Sequence, residues 1–211
     1  MSNGIINKAI NWPDGIRKYC GYYRYRRFCS RNSLIESDKI FTHLTPQEKK
    51  KLFELAQSVK NGYGIEIGSY VGASSCFIAA GLDKVSKLIC IDTWENDAMS
   101  EGKRDTFKEF CENTKKYNNK IIRVKGFSHY VADEARNVAD KIDLLFIDGD
   151  HSYDSCKKDW DLYSPMVKSG GVVICHDYGW AEGVIKVIDD DVKPLVSRCE
   201  QLPNMFWGWI K

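Results

Sequence analysis

A single α/β domain, built on a largely parallel sheet covered on both faces, is the fold class this sequence predicts. Three observations carry it. From residue 63 onward, apolar runs of about six residues alternate with helical stretches, the pattern of buried parallel strands. Several runs end on glycine, an acid or histidine, the residue types of a ligand-binding sheet edge. The last two runs follow one another with only Leu202-Pro-Asn204 between them, which predicts a closing antiparallel hairpin.

The elements follow in order. Thr45-Pro-Gln-Glu48 is a helix start, with a cap, a proline at the first helical position and then an acid. That helix runs through Leu52, Phe53, Leu55, Ala56 and Val59 and stops at Asn61-Gly62. Strands are expected at 63–68, 87–92, 120–125, 142–148 and 171–176. Helices are expected near 72–82, 103–117, 128–139, 152–163 and 181–190. The hairpin pairs 193–201 with 205–210. Five βα units plus a hairpin differ from a six-stranded parallel dinucleotide domain.

Residues 1–45 read differently and form a basic, aromatic arm; residues 46–211 form the domain. Residues 17–28 interleave five cations with five aromatics. A helix or extended arm packing its aromatics on the domain or on a second subunit is the expectation. A nucleic-acid surface is not, because the stretch is short and carries no module signature. The net charge of +2 gives no global pull toward nucleic acid or an acidic membrane. Eight cysteines, none spaced C-x-x-C, argue against a zinc site or a disulfide framework. No apolar run is long enough to span a membrane and no leader is evident, so the expected location is cytoplasmic.

The most informative stretch is Glu66-Ile-Gly-Ser-Tyr-Val-Gly72, between an apolar run and a small-residue helix, with Asp92 ending the next run. Strand, glycine turn, helix, and a second strand ending in a carboxylate suit an adenosine-containing cofactor. The helix N-terminus offers N–H groups and the acid accepts ribose hydroxyls. Only G-x-x-x-G is present, and an acid precedes it. A pyrophosphate is repelled there and an ammonium is suited, which favours S-adenosylmethionine over NAD.

Five motifs in order then resemble class I S-adenosylmethionine-dependent methyltransferases over residues 40–211. They are Glu66-Ile-Gly-Ser-Tyr-Val-Gly72, Ile91-Asp92, Gly126-Phe-Ser128, Leu145-Phe-Ile-Asp-Gly-Asp-His-Ser-Tyr153 and Gly170-Gly-Val-Val-Ile-Cys-His-Asp-Tyr178. The branch resembled includes macrocin and mycinamicin O-methyltransferases and cephalosporin-hydroxylase-like proteins, with catechol O-methyltransferase more distant. The resemblance implies a Rossmann-like three-layer sandwich. Its seven-stranded sheet has the order 3-2-1-4-5-7-6 with strand 7 antiparallel. It also implies a cofactor site from Glu66, Gly68, Ser69, Tyr70, Gly72, Ser74, Asp92, Thr93, Gly126, Phe127, Ser128 and Asp148. Ser128 is expected near the adenine, and Glu66, Gly68, Tyr70 and Ser74 around the methionine moiety.

Asp148 and Asp177 end neighbouring strands in this order, about 4.8 Å apart, so their carboxylates converge. Convergent carboxylates must be protonated, hydrogen-bonded or hold a cation. Mg²⁺ is the expected ion on Asp148 and Asp177, with Mn²⁺ or Ca²⁺ as substitutes; His176 beside them is a candidate ligand for a softer metal or a contact to substrate. Helix capping by each acid is the alternative. His151 stands where the resembled family has its general base, with Asp150 as a candidate to orient it and Asp148 beside it in the catalytic set. The expected reaction is O-methylation of a sugar, glycan or natural-product hydroxyl. Acceptor contacts are expected near 94–104 and 178–182, with the N-terminal arm as a lid and a homo-oligomer open. Two readings compete. Tyr153 and Lys157 form the Y-x-x-x-K pair of NAD(P)-dependent short-chain reductases, and a non-catalytic cofactor-binding scaffold is the third reading.

Overall fold

A computed structural model describes the backbone of residues 14–96 and 102–211, with side chains from residue 21 onward. Seven strands form one sheet: β1 (Tyr63–Ile67), β2 (Lys87–Asp92), β3 (Ile121–Lys125), β4 (Ile142–Ile147), β5 (Val167–His176), β6 (Val196–Leu202) and β7 (Met205–Ile210). Their order is β3-β2-β1-β4-β5-β7-β6. The first five strands are parallel, and β7 runs antiparallel to both β5 and β6. This is the expected topology. β1 lies between β2 and β4, so the chain winds outward in both directions from it. The carboxyl ends of β1 and β4 therefore flank the point where such sheets open for a ligand.

Strand alternation divides the core into two layers. Ile65, Ile67, Leu145 and Ile147 face one cluster with Trp160 and Tyr163 of α6 (Tyr153–Tyr163), α5 (Ser128–Val138) and α7 (Glu182–Val187). Leu88, Cys90, Leu144 and Phe146 face the other, with α2 (Pro46–Ala56), α3 (Ala73–Gly81) and α4 (Phe107–Thr114). All seven cysteines among the described side chains are free.

The capping box read at Thr45 is formed in full, with Thr45 Oγ1 accepting from Glu48 N and the Glu48 carboxylate accepting from Thr45 N. The helix stops at Ala56, short of Val59, which is buried in the following turn. β5 begins four residues before the expected Gly171. Val167 already pairs with Ile142, and the register then shifts before Leu144–Val172. Gly170, at φ 78°, supplies the left-handed residue in that irregular stretch.

The described part of the N-terminal segment packs on the body. Helix α1 (Asp14–Arg31) contributes Tyr25 and Cys29 to a third cluster with Leu34, Phe53 and Phe77. Tyr25 donates to Asp38, which also takes Lys49 of α2 and, at 3.5 Å, Arg26. Burial, reinforced by that hydrogen bond, holds the Tyr25 hydroxyl protonated far above its usual range. Tyr22 and Tyr23 remain exposed on α1.

Candidate active site

A cavity of about 890 Å³ opens at the carboxyl ends of β1, β2 and β4, the size of a small-molecule site. Its central wall is the turn after β1. Gly68 and Gly72 there have φ of 86° and 90°, and Tyr70 between them has 43°. The glycines are required by the protein's own contacts. A Cβ on Gly68 would lie 2.0 Å from the Asp148 carbonyl oxygen, and one on Gly72 would lie 2.6 Å from Thr114. Gly68, Ser69, Tyr70, Gly72 and Ser74 all line the cavity.

Asp92, at the end of β2, lies on one side of this turn. Its carboxylate accepts Tyr70 N at 2.8 Å and Trp94 N at 2.6 Å, so both loops are fixed to it. Thr93, Gly126, Phe127 and Ser128 continue the same wall, and Gly126 N donates to Asp92 O.

Glu66 requires a correction. It is fully buried and absent from the cavity wall, so it does not meet a ligand there. Strand alternation turns it away from the Ile65 and Ile67 face, and it accepts from Ser75 of α3. Burial raises its carboxyl above the ordinary value, against the hydrogen bonds of nearby serines. Glu66 supports the turn from behind. Asp148 is the acid that reaches the cavity beside Gly68.

On the opposite side, the ends of β4 and β5 converge as predicted. Neither carboxylate stands alone. His176 Nδ1 lies 3.1 Å from Asp148 Oδ1 and 3.2 Å from Asp177 Oδ2, bridging them. The His176 Nε2 edge faces Glu48 at 3.8 Å and Asn204 Nδ2 at 3.3 Å. Burial opposes charge on His176, but the surrounding Asp148, Asp177 and Glu48 carboxylates raise its pKa to about 12. His176 thus occupies the position where a cation was expected, between the two carboxylates. Burial raises the Asp148 carboxyl, with His176 pulling the other way. Burial also acts to raise Asp177, but hydrogen bonds from His151 and His176 outweigh it and hold that carboxyl far below the usual range.

His151 Nε2 lies 2.8 Å from Asp177 Oδ2, and no partner takes Nδ1 among the described residues. Hydrogen bonding to Asp177 raises the His151 pKa, with burial opposing. Asp177, not Asp150, therefore orients the imidazole. Asp150 instead accepts Ser152 N at 2.7 Å, shaping the entry to α6. Trp180 Nε1 donates to Asp177 Oδ1 at 2.8 Å and packs edge-on to His151 with ring centres 5.1 Å apart. Asn204, in the hairpin turn, donates to Asp177 Oδ1 at 3.1 Å. Asp177 itself has φ 59°, a left-handed backbone for a non-glycine residue at the centre of this network.

Asp148, His151 and Asp177 present ligand atoms within 4.8 Å of one another. This is a mixed oxygen and nitrogen set, in which the carboxylates already bind His151 and His176. Mg²⁺ and Ca²⁺ favour oxygen donors, so the set fits them poorly. Tyr178, which follows Asp177, points elsewhere; its hydroxyl accepts Lys193 Nζ at 3.0 Å and its ring packs on Phe206.

Tyr153 and Lys157 are not in the cavity wall. Lys157 is bound by Asp161 at 2.6 Å, and Tyr153 lies under Lys186. The reductase pair is therefore an exposed helix face. Of the expected acceptor stretch 94–104, residues 97–101 lie outside the described residues. Phe41, Thr42, His43 and Leu44, ahead of the α2 cap, line the cavity without having been singled out in the sequence.

A methyltransferase-domain family model matches residues 65–178, more than half of the chain. The chain belongs to this family. Its sheet is that of class I S-adenosylmethionine-dependent methyltransferases. An O-methyltransferase of Bacillus cereus, solved with S-adenosylhomocysteine, superposes at a TM-score of 0.65 and 16% identity, covering 89% of this chain and 90% of that one. The O-methyltransferase TomG of Streptomyces achromogenes, solved with S-adenosylmethionine, gives 0.59 and 16%, over 80% and 81%. In sequence, the chain is 31% identical over 133 residues to an uncharacterized protein of Acanthamoeba polyphaga mimivirus, over 59% of this chain and 57% of that one. The chain thus spans little more than half of that relative, and 13% of a Sinorhizobium fredii protein it matches at 29% identity. Among the described residues no helix is long and apolar enough to cross a membrane.

Proposed function

We propose that this methyltransferase moves the methyl group of S-adenosylmethionine to a hydroxyl oxygen of a small-molecule acceptor, with His151 as general base. The observation that carries this is the Asp177–His151 pair at the cavity wall, with the imidazole oriented through Nε2 and Nδ1 left for a proton. When bound, the cofactor supplies an electrophilic sulfonium methyl. Asp92 accepts the ribose hydroxyls, the 68–74 turn flanks the methionine portion, and Asp148 faces its ammonium. An acceptor hydroxyl beside His151 would give its proton to Nδ1 as its oxygen bonds the methyl carbon and the carbon–sulfur bond breaks, leaving S-adenosylhomocysteine. Asp177 stabilises the imidazolium that forms.

A sugar, glycan or natural-product acceptor agrees with the aromatic rim formed by Phe41, Tyr70 and Trp180. One structural neighbour is described as a TDP-rhamnose 3'-O-methyltransferase of calicheamicin biosynthesis, and TomG as acting in tomaymycin synthesis. Divalent-metal assistance is the second reading, favoured by the convergence of Asp148, His151 and Asp177. His176 already bridges the two carboxylates, so the metal-free reading stands ahead of it. The test is methyl transfer from labelled S-adenosylmethionine to a panel of sugar, phenol and amine acceptors, alongside calorimetry with S-adenosylhomocysteine. Binding of the latter with transfer to hydroxyl acceptors alone is expected; transfer confined to amines, or no binding, overturns the reading.

A further inference from the structure

Asp159 is a carboxylate with no part in the chemistry above. It lies on α6, whose inward stripe is Cys156, Asp159, Trp160 and Tyr163. Its neighbours in that stripe are core residues, yet Asp159 is both 4% exposed and part of the cavity wall. Oδ1 accepts the Ser128 hydroxyl, and Oδ2 has no donor among the described residues. Tyr163 fixes the Ser128 backbone by donating to its carbonyl oxygen at 2.7 Å. Among the described residues no cation pairs with Asp159, and burial, with Asp150 adding to it, raises its pKa to about 6. A buried acceptor held this way costs stability unless a donor meets it.

The proposed function sets which ligand part lies there. The methyl end must point at His151 and the ribose at Asp92, on opposite sides of the central turn. The purine then extends past Asp92 to the loop after β3, where Phe127 and Ser128 line the wall. The 6-amino group is the donor-rich edge of adenine. Gly149, also in the cavity wall, lies beside that oxygen.

We propose that Asp159 accepts a hydrogen bond from the exocyclic amine of adenine, and so makes the cofactor site selective for 6-aminopurines. Ser128 donates to the other carboxylate oxygen, Oδ1, and leaves Oδ2 to the amine. The inference rests on the S-adenosylmethionine reading and adds a base-reading residue to it.

The test uses the full chain, S-adenosylhomocysteine, and its 6-deamino analogue, in which hydrogen replaces the amine. Calorimetry on the wild-type protein should show roughly tenfold to a hundredfold tighter binding of the amine-bearing ligand, the worth of one hydrogen bond to a charged group. In Asp159→Ala the two ligands should bind equally. In Ser128→Ala, which keeps the carboxylate, the preference should persist. Equal binding by the wild type overturns the proposal without touching the cofactor reading, and so does a preference that survives Asp159→Ala or vanishes in Ser128→Ala. The wild-type arm stands even where Asp159→Ala fails to fold. Failure of the wild type to bind either ligand removes the cofactor reading, and this inference with it.

Discussion

The two sides of the cavity are built by different means. The side proposed for ribose and base is assembled mainly from the loops that follow β1, β2 and β3: a glycine turn, one acid holding two amides, and the Phe127–Ser128 segment, with Asp159 of α6 behind it. The side proposed for chemistry is assembled from side chains of distant elements. Glu48 comes from α2, Asp148 follows β4, His151 precedes α6, His176 ends β5, and Asn204 turns the terminal hairpin. The first side depends on local backbone geometry and the second on the sheet order. A change on the first side should therefore act on ligand affinity, and one on the second should act on rate.

The largest expected effect tests that division directly. His151→Ala should lower kcat by roughly 10²–10⁴, the usual worth of a general base, with affinity for S-adenosylhomocysteine unchanged. In the wild type, kcat should rise with pH, because the neutral imidazole takes the proton. The midpoint should lie above the unperturbed histidine value of 6.5, since Asp177 favours the charged form. In Asp177→Asn the midpoint should move down. A His151→Ala enzyme with full kcat would dissolve the distinction between the two sides.

Next in size is the acid on the base side. Asp159 has its carboxyl raised from 3.8 to about 6 by burial. Between these values the folded protein binds more protons than the unfolded one, so stability falls as pH rises from about 4 to 6 and the loss is complete above it. The cost is about 3 kcal/mol at 1.36 kcal/mol per unit. Urea titrations between pH 4 and 7 should show this loss in the wild type, and Asp159→Asn should remove that component.

A smaller loss is expected at Asp92. Removing a charged acceptor in Asp92→Ala should weaken cofactor-product binding by about 1–3 kcal/mol, read by calorimetry. Because Asp92 also holds Tyr70 N and Trp94 N, Asp92→Asn should recover part of it. Undiminished binding in Asp92→Ala would move the ribose elsewhere. The smallest effect is expected from chelation. With His176 already bridging Asp148 and Asp177, exhaustive removal of divalent ions should leave kcat unchanged; abolished transfer would restore the metal reading.

Much of the fold was legible because it rests on periodicity. Apolar runs such as Ile142–Ile147 are readable as strands buried on both faces, and the Leu202-Pro-Asn204 turn announced the hairpin. The glycine turn and Asp92 were legible because their function needs residues close in sequence. Glu66 was misplaced because period-two alternation sends it to the α3 face, which the motif alone does not reveal. Asp159 left a signal that went unused: an acid in the apolar stripe of Cys156, Trp160 and Tyr163 has to meet a partner. Phe41 and His43 left none, since only the packing of that segment beside the cavity gives them a role.

By itself the sequence determined the strand and helix alternation and the order of motifs along the chain. These follow from local patterns and from the parallel sheet they imply. Only the tertiary structure decided what bridges the two carboxylates and what aims His151. Those outcomes depend on which side chains from α2, β5 and the hairpin reach the sheet edge together. His176, between Asp148 and Asp177, and Asn204, brought 28 residues along the chain to meet it, take their positions from sheet pairing, which no local run of residues encodes.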